Sequence, residues 1–278
     1  MTDSLTIGYS PCPNDTYIFY ALTHKKIPLP GITLATPYLE DVETLNRLAI
    51  KKKLDITKLS FHALAHVLDE YCLLHCGAAL GRGCGPLLVS RSGISMNDIA
   101  GGSIAIPGKF TTANMLFRLY SPDTENLIEM RFDRIIPAVM NGEVDAGVII
   151  HESRFTYRDH GLICIQDLGQ WWEESSGHPI PLGCIAARRA LGTTRIKTIE
   201  NAIGQSISYA DSHTQECFPY IHQYAQEMEQ QVMQNHITLY VNEYSKGLGS
   251  DGLAAVEAFF ARGSEAGILP QSIQSPLL

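Results

Sequence analysis

The sequence has no apolar run approaching the roughly 20 residues that a membrane-spanning helix needs, which excludes an integral helical membrane protein. It also lacks excess positive charge. Across 278 residues there are 21 Lys+Arg against 29 Asp+Glu, a formal net charge of −8, and no basic stripe that could release counterions from phosphates. The nearest approach, Lys51-Lys52-Lys53, reads as a solvated helix end, so no nucleic-acid partner is expected. Near Met1 there is no charged segment leading into an apolar one, so no export is expected and the location is expected to be cytoplasmic. Seven cysteines form no C-x-x-C pair. An odd, irregularly spaced set reads as buried small hydrophobes rather than a disulfide framework or a zinc site. Gly81-Arg82-Gly83-Cys84-Gly85 is glycine-rich but lacks the Gly-Lys-Ser/Thr of a phosphate loop, which leaves hinge freedom or close packing.

What is present is an ordinary globular composition, 45% hydrophobic and 18% charged, at a length that suits about two domains. Leu5–Tyr9 reads as a strand, Ser10–Asp15 as a turn shaped by two prolines with Asn14 or Asp15 as N-cap, and Thr16–Leu22 as helix. A strand at Ile32–Ala35, a helix from Val42 to Lys53, a strand at Asp55–Ser60 and a helix from Phe61 to Leu68 follow. The middle of the chain repeats this plan. Ser103–Ile106 is a strand, Thr111-Thr112 caps a helix through Leu119, Phe132–Asn141 is a helix closed by Gly142, and Asp145–Ile150 is a strand that delivers His151. The two halves share architecture and almost no residue identity.

Two extended stretches, Gly83–Ser90 and Pro179–Ala186, read as crossings into and out of an inserted second lobe. Beyond them the chain is helical, with helices expected at Ile196–Ile207, Gln215–Gln234 and Asp251–Arg262. The expected fold is thus α/β and two-lobed, the periplasmic-binding-protein type II plan, with a central cleft and two hinge crossings. Lobe 1 would hold residues 1–90 and 187–278, and lobe 2 residues 91–186. In open α/β sheets ligands bind beyond the carboxyl ends of the strands. Ser10, Ser60, Thr111 and His151 stand at such ends and should converge on the cleft.

Among ten histidines, His151 ends an apolar strand and opens the polar run Glu152-Ser153-Arg154. A neutral imidazole there can accept a proton near pH 7; the alternative is a strand-end histidine that hydrogen-bonds backbone. His62 and His66 have the i, i+4 spacing of zinc ligands but neither the glutamate of H-E-x-x-H nor a visible third ligand. His24, His160, His178, His222 and His236 sit in polar stretches and are expected to be solvated. Thr111 and Thr112, after Gly108-Lys109, present a helix N-terminus suited to an anion, or simply a cap. The Ser10–Asp15 turn, including Asn14, offers a similar end from the first lobe. Ser60, with Lys58 two residues before it, lies between them. A small carboxylate gripped from both lobes accounts for all three features. Cys12 is either a nucleophile at a helix N-terminus or part of a shaped turn. Trp171-Trp172 is either the floor of an aromatic pocket or core.

Taken in order, Ser10–Thr16 (SPCPNDT), Pro107–Asn114 (PGKFTTAN), His151–Tyr157 (HESRFTY), Asp167–Glu173 (DLGQWWE) and Pro179–Gly183 (PIPLG) resemble the 1,4-dihydroxy-6-naphthoate synthase family of the futalosine route to menaquinone. The resemblance runs from residue 5 to about 190. It implies a cofactor-free lyase that converts cyclic dehypoxanthinylfutalosine to 1,4-dihydroxy-6-naphthoate and releases dihydroxyacetone. The family's proton acceptor falls on His151, and its substrate-binding segments fall on Lys58-Leu59-Ser60 and on Thr111-Thr112. Two other readings share the fold: a solute-binding protein that grips a small anion without chemistry, and the chorismate-dehydrating enzyme of the same route.

Overall fold

Short apolar strands flanked by helices need a partner on each face, and the computed structural model gives them two sheets. It describes residues 4–93, 99, 101–225, 229–270 and 275–278. The strands are β1 (Ile7–Tyr9), β2 (Tyr38–Leu39), β3 (Ile56–Ser60), β4 (Tyr71–Leu73), β5 (Ala79–Gly81), β6 (Leu87–Ser90), β7 (Ile104–Ile106), β8 (Leu127–Glu129), β9 (Ala146–Ile149), β10 (Ile163–Asp167) and β11 (Ile180–Arg188). The first sheet runs β2-β1-β3-β11-β4, with β5 also on β11; the second runs β10-β6-β9-β7-β8. In the first, β2, β1 and β3 are parallel and β11 is antiparallel to β3. In the second, β8, β7 and β9 are parallel and β6 is antiparallel to β9. Each half therefore builds three parallel strands and borrows its antiparallel fourth from a crossing segment. This is the two-lobed α/β plan expected from the sequence.

The repeat extends to one polar contact. Asp55 Oδ2 accepts from the backbone N–H of Thr6 at 2.8 Å and from its hydroxyl at 2.8 Å. In the second lobe Asp145 Oδ2 accepts from the N–H of Ser103 at 2.8 Å and from its hydroxyl at 2.9 Å. In both lobes an aspartate ahead of the third parallel strand thus fixes the start of the first.

Several boundaries differ from the sequence reading. Leu87–Ser90 pairs within the second sheet and Ile180–Arg188 within the first, so sheet membership changes before residues 90/91 and 186/187. An apolar extended stretch reads the same whichever sheet receives it. The first helix is Pro13–Thr23, with Cys12 rather than Asn14 or Asp15 at the N-cap; Pro13 fits the first helical position because it has no N–H to leave unpaired. Ile32–Ala35 forms a single bridge, Leu5 to Leu34, and the ladder resumes at Tyr38 beyond Pro37, which has no donor to give. The Val42 helix stops at Ile50, where Lys52 takes φ +56°, and the Phe61 helix stops at Ala65. Gln215–Gln234 is two helices, Thr214–Tyr224 and Gln230–Tyr240, and residues 226–228 of that expectation lie outside the described residues.

One apolar core joins both sheets, from Leu59 and Phe61 through Leu88 and Val148 to Trp172 and Phe259. A second core packs Ile7, Ile18, Phe19 and Ile56 against Ile196, Ile199 and Ile203 of the long helix Thr193–Ser212. Ser206 ties that helix to the first, donating to Ile18 O at 2.6 Å and accepting from Leu22 N at 3.1 Å. Among the described residues no helix is long and apolar enough to cross a membrane.

Candidate active site

Strand ends and helix starts from both sheets meet around a cavity of about 80 Å³, a concave site of the kind that small molecules enter. Every residue expected at the cleft lines it: Ser10, Asn14, Lys58, Leu59, Ser60, Thr111, Thr112 and His151. Asp15, Val42, Cys84, Gly85, Leu182 and Tyr240 join them.

Most polar groups of the lining are already engaged. The ammonium of Lys58 stands 2.9 Å from Asp15 Oδ1 and donates to Gly77 O at 3.2 Å. Asp15 also accepts from the Ser10 N–H at 3.2 Å, the Ser10 hydroxyl at 2.7 Å and the Asn14 amide at 2.8 Å. The Thr111 hydroxyl donates to Gly108 O at 2.8 Å and accepts from Asn114 N at 3.2 Å, while the Thr112 hydroxyl donates to Leu182 O at 2.7 Å. The two threonines therefore do not aim hydroxyl protons at an anion. In the first turn of the helix Thr112–Tyr120 the Thr111 cap takes the N–H of Asn114, while those of Thr112 and Ala113 have no acceptor within the helix. Lys109 is exposed and lies over the Phe110 ring at 5.5 Å.

His151 follows β9 in the left-handed region, φ +58°. A β-carbon makes that conformation costly, of order 1–3 kcal/mol, and such strain concentrates at functional sites. The turn aims the ring along the cavity wall, edge-on to Phe132 at 5.1 Å between centroids. Among the described residues neither ring nitrogen has a hydrogen-bond partner, so the strand-end alternative of bonding to backbone does not hold. Burial lowers the pKa to about 4; Asp15 and Asp41 act against this, and Lys58 with it. The imidazole is thus neutral at physiological pH.

The sequence reading missed one neighbour of this ring. His236, expected in solvent, is 1% exposed, and its ring centroid lies 6.3 Å from that of His151. Its own helix carries Met233, His236, Ile237 and Tyr240 as the buried face. That i, i+3, i+4, i+7 pattern was the available signal. The Tyr240 hydroxyl donates to Cys84 O at 3.3 Å, which brings this helix to the crossing segment.

Other candidates have structural places. Cys12 is buried, and burial raises its thiol pKa well above the ordinary value, the opposite of an activated nucleophile. Its carbonyl accepts from Asp15 N and Thr16 N, which makes it the shaped turn. Nδ1 of His62 donates to Thr111 O at 3.0 Å, and burial lowers its pKa to about 4. Among the described residues no group of three or more His, Cys, Asp or Glu is placed to hold a metal. Trp172 is core, donating to Pro179 O at 3.1 Å, and Trp171 meets Tyr120 edge-on at 5.5 Å. Gly85 is close packing rather than hinge freedom, since a Cβ there would stand 2.3 Å from Gly169 Cα.

The lobes are joined across the cavity. Glu43 accepts from Phe110 N at 3.0 Å and Asn46 donates to Phe110 O at 3.2 Å. Asn46 also holds Ser60, accepting from its N–H at 3.0 Å and donating to its hydroxyl at 3.2 Å. Arg47 pairs with Glu129 at the rim.

The chain resembles known proteins along almost its whole length. The family model described as menaquinone biosynthesis matches residues 5–265. The 1,4-dihydroxy-6-naphthoate synthase of Thermus thermophilus is 46% identical over 97% of each chain. That of Streptomyces coelicolor is 42% identical over 96% of this chain and 95% of its own. Protein AF1704 from Archaeoglobus fulgidus superposes with a TM-score of 0.90 at 36% identity, covering 96% of this chain and 98% of that one. The alkanesulfonate-binding protein SsuA from Xanthomonas axonopodis, with a TM-score of 0.71 at 15% identity over 96% and 94% of the two chains, shares the periplasmic-binding-protein fold. By the span of the family match and the identity to two of its enzymes, this chain belongs to the menaquinone-biosynthesis family of the 1,4-dihydroxy-6-naphthoate synthases.

Proposed function

We propose that this enzyme of menaquinone biosynthesis is a carbon–carbon lyase. It opens cyclic dehypoxanthinylfutalosine to 1,4-dihydroxy-6-naphthoate and dihydroxyacetone, with His151 as general base. The observation that carries the reading is His151 itself, a neutral imidazole held at φ +58° on the wall of the interlobe cavity, with neither ring nitrogen engaged by any of the described residues. His151 takes a proton from a hydroxyl of the sugar-derived ring. The electrons of that O–H bond form a carbonyl as the neighbouring carbon–carbon bond breaks in a retro-aldol sense. Aromatisation of the remaining ring makes the step downhill. A positioned base contributes about 10²- to 10⁴-fold, and exclusion of water with fixed geometry supplies much of the remainder.

The substrate carboxylate would lie toward the first turn of the Thr112–Tyr120 helix, with Ser60 opposite. Lys58 acts through Asp15: their ion pair holds Ser10 and Asn14 in the wall. The Asp15 charge supports the imidazolium that forms at His151. Incubating the purified protein with the cyclic substrate and recording naphthoate absorbance with release of dihydroxyacetone tests this. Formation of both products supports the reading. Binding without turnover would support the solute-binding alternative, and turnover only of chorismate the dehydrating one.

A further inference from the structure

His236 stands apart from the other buried polar groups. Its ring is 1% exposed, and neither Nδ1 nor Nε2 has a hydrogen-bond partner among the described residues. A neutral imidazole carries one donor and one acceptor, and leaving both unmet inside a protein costs free energy that an aliphatic side chain at the same position would not. The nearest rings are Tyr240, at 4.6 Å between centroids on the same helix, and His151, at 6.3 Å with an interplanar angle of 32°. Among the described residues His151 in turn has no carboxylate or carbonyl on its ring to orient it, although an active base ordinarily has such a third group.

We infer that His236 is the positioning residue of His151: its neutral ring accepts a hydrogen bond from the His151 N–H, which leaves the other His151 nitrogen to take the substrate proton. Two imidazoles in direct N–H···N contact at about 2.9 Å have centroids about 5 Å apart. The observed separation closes by a small ring rotation or is spanned by one water. No proton passes to His236. The proton from the substrate hydroxyl stays on His151 and returns to the product, while the contact holds one tautomer and offsets the penalty of a cation in this wall. The groups facing His236 are His151 at the end of β9, Lys58 on β3 and Tyr240 on its own helix. Those acting on His151 are Asp15, Asp41 and Lys58. Burial, His151 and Lys58 all hold His236 well below the ordinary histidine pKa, which keeps it the acceptor of the pair.

This rests on His151 being the base. The test compares His236→Leu, His236→Asn and His236→Gln with wild type and with His151→Asn, on the cyclic substrate from pH 3 to pH 8, each assay started by a brief jump from pH 7. His236→Leu should keep or raise Tm, because it removes two unmet polar atoms, yet lower kcat 10- to 100-fold with KM within twofold. It should also move the acidic limb of kcat/KM to lower pH. Asn or Gln, whichever places its carbonyl toward His151, should recover most of kcat. A Leu variant within threefold of wild-type kcat, or Asn and Gln variants as slow as Leu with an unmoved acidic limb, would overturn the inference. An inactive His151→Asn beside a fully active His236→Leu sinks this inference alone, whereas a fully active His151→Asn sinks the reading of the site beneath it. Ring ¹⁵N shifts of His236 in the unliganded protein give a check independent of turnover and of the Leu variant's folding. They should change on His151→Asn, and an unchanged His236 signal would count against the pair.

Discussion

Lys58 and Asp15 form an ion pair at 2.9 Å in the cavity wall, with side chains 6% and 2% exposed. Asp15 is held by four donors at once, so the pair is satisfied although it is almost wholly buried. Removing one partner strands the other charge, which costs about 3–5 kcal/mol for buried pairs. Asp15→Ala should therefore lower unfolding free energy by about that amount. Asp15→Ala/Lys58→Met should be less destabilised than Asp15→Ala, because no lone ammonium is left. Denaturant titration of both variants measures this.

Stability should fall with acid in a defined window. His62 and His151 have folded pKa values of about 4 and His236 is also lowered, against about 6.5 in an unfolded chain. Between those values the unfolded state binds more protons, so unfolding free energy rises with pH. The stabilisation is present above about pH 6.5 and is lost as pH falls toward 4. Tm recorded from pH 7.5 to 4 should drop through that window, and His62→Gln should flatten the drop.

The crossing at Gly85 depends on backbone contact. A Cβ at Gly85 would stand 2.3 Å from Gly169 Cα, and one at Gly169 would stand 2.6 Å from Gly85 Cα. Arg154 reinforces the joint, bonding Gly85 O and pairing with Asp167 at 2.7 Å. Gly85→Ala should displace the helix Leu168–Ser176 and cost about 1–3 kcal/mol, as overpacking does. A thermal melt checks the magnitude.

The grip of Glu43 and Asn46 on Phe110 predicts a change in shape. Glu43→Gln/Asn46→Asp keeps side-chain volume but replaces the Asn46 amide donor by an acceptor facing Phe110 O. The lobes should separate more often, raising the radius of gyration measured by solution X-ray scattering and raising KM more than it lowers kcat.

Much of this was legible in the residues. Asp55 and Asp145 aligned the two halves, and both do the same work on Thr6 and Ser103. Strand ends followed by caps located Ser60, Thr111 and His151, because a parallel strand buried on both faces must deliver its polar residues at its end. Two things were not legible, and a third was legible but missed. Sheet membership of Leu87–Ser90 and Ile180–Arg188 depends on non-local pairing, which apolar extension does not encode. The direction of the Thr111 and Thr112 hydroxyls depends on Gly108 O and on the distant Leu182 O. His236 was placed in solvent because its neighbours in sequence are polar, whereas its helical face, Met233 to Tyr240, is buried.

The most direct test is the rate of naphthoate formation by His151→Asn. Asparagine tolerates the left-handed backbone, so the cavity should keep its shape while the proton acceptor is lost. Substrate affinity should stay within a few-fold of wild type while kcat falls by at least about 10²-fold. A folded His151→Asn enzyme turning over at close to the wild-type rate would contradict His151 as the base.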